Sequence, residues 1–532
     1  MKHWPLTLAV TVFLLVSCLV YTAVVIINDG HFIYVLDDPY IHMAMAKNFA
    51  EYGVWGVTKY EFSSSSSSPL WTSLISAVYI SFGVNDISPL LLNIIIGSLV
   101  IFLLYRIITS YQPELKDSYV LLMLLAIIFI TPLIPMVFCG MEHTAHIFVC
   151  FLFIWLAARS LSEKEFNTVS FNSIVLLAVV PFVVFLRYEG MFLVFIVTLL
   201  FLFKKRIGFS FLLGILAVIP FLIYGAVSVV NGELWLPNSV YVKGSIPYFK
   251  SLDDILAFFV YSNFKKLIGT PSISLLLIAA IFMFTARYRK GKGLWENVQI
   301  MLLIFISMTV LHALFARFGF FFRYEAYLIA VGSLALVLAM IEYLPRNGEK
   351  IIINIALLRK NKTISAFCLL LVLSLAGRGI IALGKIPIAT KNIYEQQYQM
   401  GLFLKKYYQG QGVMANDIGV INYLADIKCV DLMGLGKSEI ALMVKSGKYN
   451  KYELDKFLSA RDVKIGILYS EWFKTIIYQW VPVGSWKIKN NVNCYSDTVS
   501  FYTTKASDKN ELVAKLKKFK TALPLLVEQK IY

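Results

Sequence analysis

Apolar residues form long runs that recur from residue 5 to residue 384, and short polar segments separate them. A helix needs roughly 20 apolar residues to cross about 30 Å of hydrocarbon, and shorter runs can span with a tilt or in a thin bilayer. The pattern predicts about eleven transmembrane helices, at residues 5–28, 88–108, 119–137, 143–160, 169–186, 190–203, 208–230, 271–286, 297–315, 324–343 and 363–384.

The composition agrees with a polytopic α-helical membrane protein. Hydrophobic residues make up 58% of the chain and its mean hydropathy is +0.72, whereas soluble domains hold about 45–50% apolar residues. The first apolar run is not followed by a small-residue cleavage site. We therefore interpret it as a retained helix rather than a signal peptide.

The basic residues predict the orientation of the helices. If the N-terminus is cytoplasmic, the inner loops carry basic clusters, as the positive-inside rule requires. These clusters lie at residues 204–206, 287–292, 346–350 and 359–362. The first loop, residues 29–87, and the tail then lie on the outer face. The net charge of +17 is largely explained by these clusters and by tail lysines facing an anionic membrane surface, so it does not indicate a nucleic-acid partner.

The tail is predicted to form a separate soluble domain. Short strands are predicted at residues 412–415, 428–432, 463–469 and 499–503. Helical patterns follow the first two strands, and this alternation is typical of a small sheet covered by helices. We therefore divide the chain into a membrane domain, residues 1–385, and an extracytoplasmic α/β domain, residues 386–532.

Four residues of the tail have more than one interpretation. Asp417 and Asp431 fall at predicted strand ends, where α/β proteins place ligands, but both also suit the capping of the next helix. Cys429 and Cys494 could pair as a disulfide if the tail faces an oxidising compartment.

Two adjacent carboxylates follow the first predicted helix, in the sequence Asp37-Asp38-Pro39-Tyr40. They lie at the membrane surface, where ionisable groups are functional candidates. Asp38 before Pro39 also predicts the start of an interfacial helix that stops near Gly53, which gives Asp38 an alternative role as a cap. For Asp37 the alternative is a solvated loop carboxylate. A second interfacial helix is predicted to open at Pro69.

Further polar residues are predicted on the same face of the membrane. Glu142, Arg187, Lys243 and Arg323 each stand in or beside an outer loop between apolar runs. Arg and Lys hold phosphate groups, and an Asp can accept the proton of an attacking hydroxyl. The pattern indicates a site for a phosphorylated lipid. Snorkelling at a helix end is the alternative for Arg187 and Arg323.

Seven short motifs follow one another along the chain. They are Asp37-Asp38-Pro39-Tyr40-Ile41, Ser68-Pro69-Leu70-Trp71, Gly140-Met141-Glu142-His143, Arg187-Tyr188-Glu189-Gly190, Leu236-Pro237-Asn238-Ser239-Val240-Tyr241, Asn416-Asp417-Ile418-Gly419-Val420-Ile421 and Val430-Asp431-Leu432-Met433-Gly434-Leu435. With these motifs in this order, the chain resembles the C-type (GT-C) glycosyltransferase superfamily. Within it the chain is similar to the branch of bacterial arabinofuranosyltransferases and, more loosely, to protein mannosyltransferases and lipid A aminoarabinose transferases.

The resemblance implies a GT-C-like membrane bundle, located in the bacterial inner membrane, and an inverting reaction. The enzyme would transfer a sugar from a polyprenyl-phosphate donor to a glycan, lipid or protein acceptor on the outer face. By position, Asp37 is implied as the base and Asp38 as its support. The implied ligands of the donor phosphate are Lys243, Tyr241, Arg187 and Arg323. The implied positioning residues are His143, Asn238 and Trp71.

Glu142 matches an acidic position that orients donor or acceptor in such enzymes and in some relatives helps to bind a metal. A divalent ion at Asp38 and Glu142 is therefore left open, and no other cofactor is expected. The chain departs from the family pattern at Pro39, at the serine run 63–68 and at His143, where relatives carry Thr. These departures bear on the metal and the acceptor more than on the reaction class.

Two other classes fit a polytopic protein with charges on its outer face. A transporter or flippase for lipid-linked sugars would place ionisable groups near the midplane, on repeated halves with broken helices. Here the polar motifs fall at the outer ends of the runs, and the sequence has no internal repeat. A non-catalytic protein of envelope assembly predicts that Asp37→Asn leaves the cellular phenotype intact.

Overall fold

The computed structural model describes residues 3–163, 170–243, 251, 253–254, 258, 261, 263–344, 362–477 and 480–532. Most of the chain before residue 393 is helical in these ranges, and its helices coincide with the predicted apolar runs. Seven described helices are long and apolar enough to cross a membrane, at Trp4–Ile27, Ser88–Tyr111, His143–Ser162, Ile207–Val230, Pro271–Arg289, Asn297–Phe315 and Lys362–Tyr407.

Shorter apolar helices fill the remaining predicted spans. They lie at Asp117–Ile130, Phe171–Leu186, Gly190–Phe203 and Ala326–Ile341. Because they are shorter than the roughly 20 residues of a perpendicular span, the predicted number of spans stays a prediction. The predicted span 119–137 is interrupted at Pro132, since proline lacks the N–H that a continuing helix needs. Further short helices lie at Leu133–Phe138, Asn238–Lys243 and Asn263–Ile268.

The loop of residues 29–87, here named the first outer loop after its predicted side of the membrane, contains the helices Asp38–Tyr52 and Pro69–Phe82, as the sequence predicted. The first of them has proline in its first turn, where a missing N–H costs nothing. It ends at Gly53, whose φ of 70° is a left-handed conformation that suits glycine. This helix packs against Pro69–Phe82 and against the helix Gly419–Leu424 of the tail. The first outer loop therefore contacts the tail directly.

The last membrane helix runs into the tail without a break. Helix Lys362–Ile393 continues through one turn of π-helix, Tyr394–Tyr398, into helix Gln399–Tyr407. Single π-turns inside α-helices are found frequently at functional sites. The turn carries Gln397, which lines a cavity beside Asp37.

The described residues of the tail contain a six-stranded mixed sheet. Its strands are β1 Gly412–Ala415, β2 Lys428–Asp431, β3 Val463–Leu468, β4 Val481–Lys487, β5 Thr498–Thr503 and β6 Glu528–Ile531. They lie in the order β2-β1-β3-β5-β4-β6. β1 pairs in parallel with β2 and β3, and the other pairs are antiparallel. The predicted α/β class is confirmed, although β4 and β6 were not predicted.

Helices cover both faces of this sheet. Phe403 of Gln399–Tyr407 and Leu516 of Lys509–Phe519 pack with Ile465 on one face. Leu454 of Lys451–Ser459 and Ile440 of Ser438–Lys445 pack on the other. Since β1 and β3 run parallel, their carboxyl ends meet at the same edge, where α/β proteins place ligands.

Candidate active site at Asp37 and Asp38

Two cavities in the described part of the protein meet at the Asp37-Asp38 segment. The first has a volume of about 490 Å³ and lies between the membrane helices, the first outer loop and the tail. The second has a volume of about 320 Å³ and lies between the ends of the membrane helices and the first outer loop, with Leu435 of the tail also in its lining. Asp38, Ile41 and Leu435 line both cavities. The predicted pair of carboxylates thus stands at their junction.

Both carboxylate oxygens of Asp37 accept hydrogen bonds from the tail. The N–H of Gly419 donates to Oδ2 at 2.8 Å, and the N–H of Val420 donates to Oδ1 at 2.8 Å. Burial, together with the nearby carboxylate of Asp417, raises the pKa of Asp37 to about 8. The side chain of Asp37 is therefore fixed by two backbone N–H groups, and its pKa is higher than that of an ordinary aspartate. A pKa in this range suits a general base near neutral pH.

Asp38 is the first residue of its helix, and its carboxylate forms an ion pair with the guanidinium of Arg323. Arg323 is only 2% exposed. The pair joins the first outer loop to the segment before helix Ala326–Ile341. Asp38 and Arg323, predicted separately as catalytic support and phosphate ligand, are thus brought into direct contact.

Polar side chains of the tail form one wall of the first cavity. Gln397 donates to Asp417 Oδ2 at 2.8 Å and to the hydroxyl of Tyr469 at 2.9 Å. Asn416 accepts from the N–H of Tyr469 at 2.8 Å. Burial raises the pKa of Asp417, so two carboxyl groups with raised pKa values share this cavity.

Aromatic rings line the mouth of the same cavity. The rings of Trp472 and Tyr495 lie with their centroids 4.4 Å apart, and both line the cavity. Phe320, Phe321 and Phe322 lie on the side of the membrane helices and all have left-handed φ values, of 46°, 59° and 61°. Non-glycine residues adopt such angles at a cost, and they cluster at functional sites.

Buried polar groups hold this strained turn in place. Glu325 accepts from the N–H of Gly319 at 2.8 Å and from Arg378 at 2.5 Å. Arg378 also donates to the carbonyl of Phe322 at 2.5 Å. The ion pair of Arg378 with Glu325, which are 7% and 1% exposed, therefore fixes the residues that precede Arg323.

The second cavity has a basic wall. Arg187, Arg317 and Arg323 line it, together with the acidic Glu189 and Asp38. Arg187 donates to Glu142 at 2.6 Å and to Glu189 at 2.7 Å. Although burial opposes the shift, the Arg187 guanidinium lowers the pKa of Glu189 to about 2. The rest of the wall includes aromatic residues, with Phe192 and Phe315 among them.

Several predicted site residues lie behind the two cavities. In the described ranges, five predicted residues line neither cavity. They are Glu142, His143, Trp71, Asn238 and Tyr241. Glu142 is fully buried. It lies next to two residues that line the second cavity, Arg187 at 2.6 Å and His42 at 3.9 Å.

Three of the other four have contacts elsewhere in the described residues, and the fourth, His143, is buried. Trp71 donates to the carbonyl of Gly140 at 3.1 Å, and the N–H of Asn238 donates to the carbonyl of Ser64 at 2.9 Å. The ring of Tyr241 lies 4.8 Å from Nζ of Lys445, and His143 is buried at the start of its helix. The side chain of Lys243 lies outside the described residues.

The serine run is an ordered part of the second cavity. Residues 63–68 are buried except Ser67, which is half-buried. Ser66 and His42 both bond the hydroxyl of Thr72, at 2.9 Å and 2.7 Å. Ser65 and Ser67 line the cavity. The low complexity of this run did not predict that it would line a cavity.

The carboxylates considered for a metal ion do not fit one. Asp38 is paired with Arg323 and Glu142 with Arg187, so a cation would have to displace a guanidinium at each. Within the described ranges, no group of three or more His, Cys, Asp or Glu side chains is placed to hold a metal. Cys429 and Cys494 are both free thiols, and Cys494 lines the first cavity.

Two comparisons with known proteins gave matches, one to the tail alone and one to almost the whole chain. Residues 391–502 match a family model described as a domain of unknown function (DUF8728). This segment includes Gln397, Asp417, Gly419 and Tyr469, and with them the contribution of the tail to the first cavity. A search of curated proteins found no match.

Solved structures share the fold over almost the whole chain. ArnT from Cupriavidus metallidurans, bound to undecaprenyl phosphate, is 11% identical with a TM-score of 0.52, over 94% of this chain and 98% of that chain. The apo state of ArnT is 13% identical, with a TM-score of 0.53 and the same coverage. AglB from Archaeoglobus fulgidus, in complex with an inhibitory peptide and a dolichol-phosphate, is 12% identical, with a TM-score of 0.51, over 95% of this chain and 75% of that chain.

ArnT and AglB are both GT-C glycosyltransferases. The chain therefore has a GT-C-like fold, and its C-terminal domain contains a sheet. The seven long apolar helices of the described residues support an integral membrane protein. The resemblance to the arabinofuranosyltransferase branch stays a prediction.

Proposed function

We propose that this protein is an inverting glycosyltransferase that transfers a sugar from a polyprenyl-phosphate donor to an acceptor hydroxyl on the outer face of a membrane. The observation that carries the proposal is that a basic cavity and a carboxylate-bearing cavity meet at Asp37 and Asp38. The fold shared with ArnT and AglB supports it, because structures of those proteins were determined with undecaprenyl phosphate and with a dolichol-phosphate.

The second cavity takes the donor phosphate. Arg187, Arg317 and Arg323 line it, and guanidinium groups bind phosphate oxygens through paired N–H donors. Phe192 and Phe315 give the same cavity an apolar wall suited to a prenyl chain. The arginines also stabilise the negative charge that grows on the phosphate as it leaves. Lys243 remains a predicted further ligand of this phosphate.

The first cavity takes the acceptor. Asp37 accepts the proton of the acceptor hydroxyl, and the oxygen forms a bond to the anomeric carbon from the side opposite the phosphate. The bond between that carbon and the phosphate oxygen breaks, and the electron pair leaves with the lipid phosphate. The products are the glycosylated acceptor with inverted configuration, the polyprenyl phosphate and a protonated Asp37.

The remaining predicted residues support these groups. Asp38 orients Arg323 through their ion pair, and Glu142 orients Arg187. Trp71 and Asn238 hold the first outer loop against its neighbours. The proposal also includes a cytoplasmic N-terminus, an extracytoplasmic tail and a place in the bacterial inner membrane.

Turnover of purified protein in nanodiscs tests the proposal. A panel of polyprenyl-phosphate sugars is offered with an envelope-glycan extract, and release of lipid phosphate is measured. Removing a general base costs about 10²–10⁴-fold in rate, so Asp37→Asn should lose turnover by that factor. Asp497→Asn is the matched control, because Asp497 pairs with Lys487 at the surface. Movement of intact lipids between leaflets without phosphate release would support a carrier instead.

A further inference from the structure

The carboxylate of Asp37 is held by the backbone of a distant segment. The two N–H groups that donate to it, from Gly419 and Val420, follow Asp37 by 382 and 383 residues. Both belong to the first turn of helix Gly419–Leu424, whose N–H groups have no partner inside the helix. Each oxygen keeps a second lone pair that can receive a proton. The tail thus fixes the direction in which Asp37 presents its free lone pairs.

The absence of a side chain at Gly419 makes this contact feasible. A Cβ atom at this position would lie 2.8 Å from both Cγ and Oδ2 of Asp37, and closer still to the Asp37 backbone oxygen. Such separations are shorter than the normal contact distances of a carbon atom to carbon or oxygen. The obstructing atoms are backbone and a carboxylate held at both oxygens, so they cannot move aside without leaving their bonds. Any residue other than glycine must displace Asp37.

We propose that Gly419 and Val420 are positioning residues of the catalytic base, so that the tail completes the active site of the membrane domain. The inference rests on the proposed role of Asp37 as the base. Misplacement of a catalytic group by about 1 Å can cost on the order of 10²-fold in rate. Gly419→Ala should therefore lower kcat by a factor of that order, while the KM for the donor stays unchanged, because Gly419 lies outside the second cavity.

The pH profile separates positioning from a general structural effect. The two N–H groups lower the pKa of Asp37, against burial and Asp417, which raise it. Their loss should move the midpoint of the pH profile to higher pH. The other titratable or charged groups of the described residues that face Asp37 or share its cavity are Asp38, Tyr40, Cys429, Tyr469, Cys494, Tyr495 and Lys385. Gly419→Ala leaves all of these residues in place.

The experiment compares four variants with the wild-type chain in nanodiscs. They are Gly419→Ala, Asp37→Asn, Asp37→Glu and the control Gly447→Ala. Gly447 lies in a turn of the tail with φ of 69°, and a Cβ atom added there would have no heavy atom within 4 Å. Its substitution therefore strains the tail without reaching Asp37. The readouts are kcat, the KM for the donor, the midpoint of the pH profile and the unfolding temperature.

We expect Gly419→Ala to have a lower kcat than the wild type and a pH profile with its midpoint at higher pH. Gly447→Ala should have the wild-type kcat and midpoint. Wild-type kcat and midpoint in Gly419→Ala, with Asp37→Asn inactive, would overturn this inference alone. Equal losses in Gly447→Ala would overturn it as well. Full turnover in Asp37→Asn would instead overturn the proposed function.

Asp37→Glu decides the question if Gly419→Ala does not fold. The longer side chain keeps a carboxylate but carries it past the two N–H groups. A loss close to that of Asp37→Asn supports the positioning role, and wild-type turnover in Asp37→Glu overturns it.

Discussion

The pH dependence of turnover follows directly from the surroundings of Asp37. Burial and the carboxylate of Asp417 raise its pKa from 3.8 to about 8, and a general base works in its deprotonated form. At pH 7 about a tenth of the molecules then hold the active form, and at pH 9 about nine tenths. The kcat/KM of the wild-type enzyme should therefore rise about tenfold between pH 7 and pH 9 and level off above.

Substitution of the neighbouring carboxylate tests the cause of this shift. Asp417→Asn removes a like charge, which should move the midpoint to lower pH. Because burial is the larger cause, the midpoint should stay well above 3.8. The assay is kcat/KM for one donor between about pH 6 and pH 9.5, with Asp497→Asn as the control. A flat profile over this range in an active wild type, or a midpoint that Asp417→Asn leaves in place, would refute the reasoning.

Three further changes act on other parts of the site. Arg187→Ala removes the guanidinium partner of the fully buried Glu142 and should cost about 3–5 kcal/mol of stability, measured as a lower unfolding temperature. An unchanged temperature would contradict the buried ion pair. Arg317→Ala should raise the KM for the donor about tenfold by removing a charge-assisted phosphate contact, and equal binding of polyprenyl phosphate by both proteins would exclude that role. Trp472→Ala should raise the KM for the acceptor about tenfold through lost aromatic contact and leave donor binding intact. The reverse pattern would mean that the donor binds in the first cavity and the acceptor in the second.

Some of the residues that line the two cavities were singled out from the sequence. Asp37 and Asp38 were predicted from their position after an apolar run, and Arg187 and Arg323 from theirs in outer loops. All four line a cavity. Ionisable side chains close to a membrane are costly and therefore rare. Each of these four can be recognised in the sequence from its position next to an apolar run, without knowledge of the fold.

The tail's contribution to the site could not be predicted in the same way. Gln397, Asn416, Tyr469 and Trp472 reach the first cavity because the tail packs on the first outer loop. That contact joins segments more than 300 residues apart. A pattern within one short stretch of sequence cannot predict such a contact. Asp417 was assigned as equally suited to capping, since a strand end alone does not distinguish the two roles.

Glu142 shows the opposite difficulty. A carboxylate between apolar runs stands out in the sequence, but the sequence does not tell whether it faces a cavity or a buried partner. The structure pairs it with Arg187. For the fold, the helices follow from the long apolar runs. β4 and β6 lie in the antiparallel half of the sheet, where strand preference depends strongly on the packing context.

The central claim is that one reaction couples the two cavities, and product analysis tests it most directly. With a donor that supports turnover, the account predicts equal amounts of free polyprenyl phosphate and glycosylated acceptor. It also predicts an anomeric configuration opposite to that of the donor, determined by NMR. Transfer with retained configuration, or glycosylated acceptor formed without free lipid phosphate, would contradict a direct displacement with Asp37 as the base.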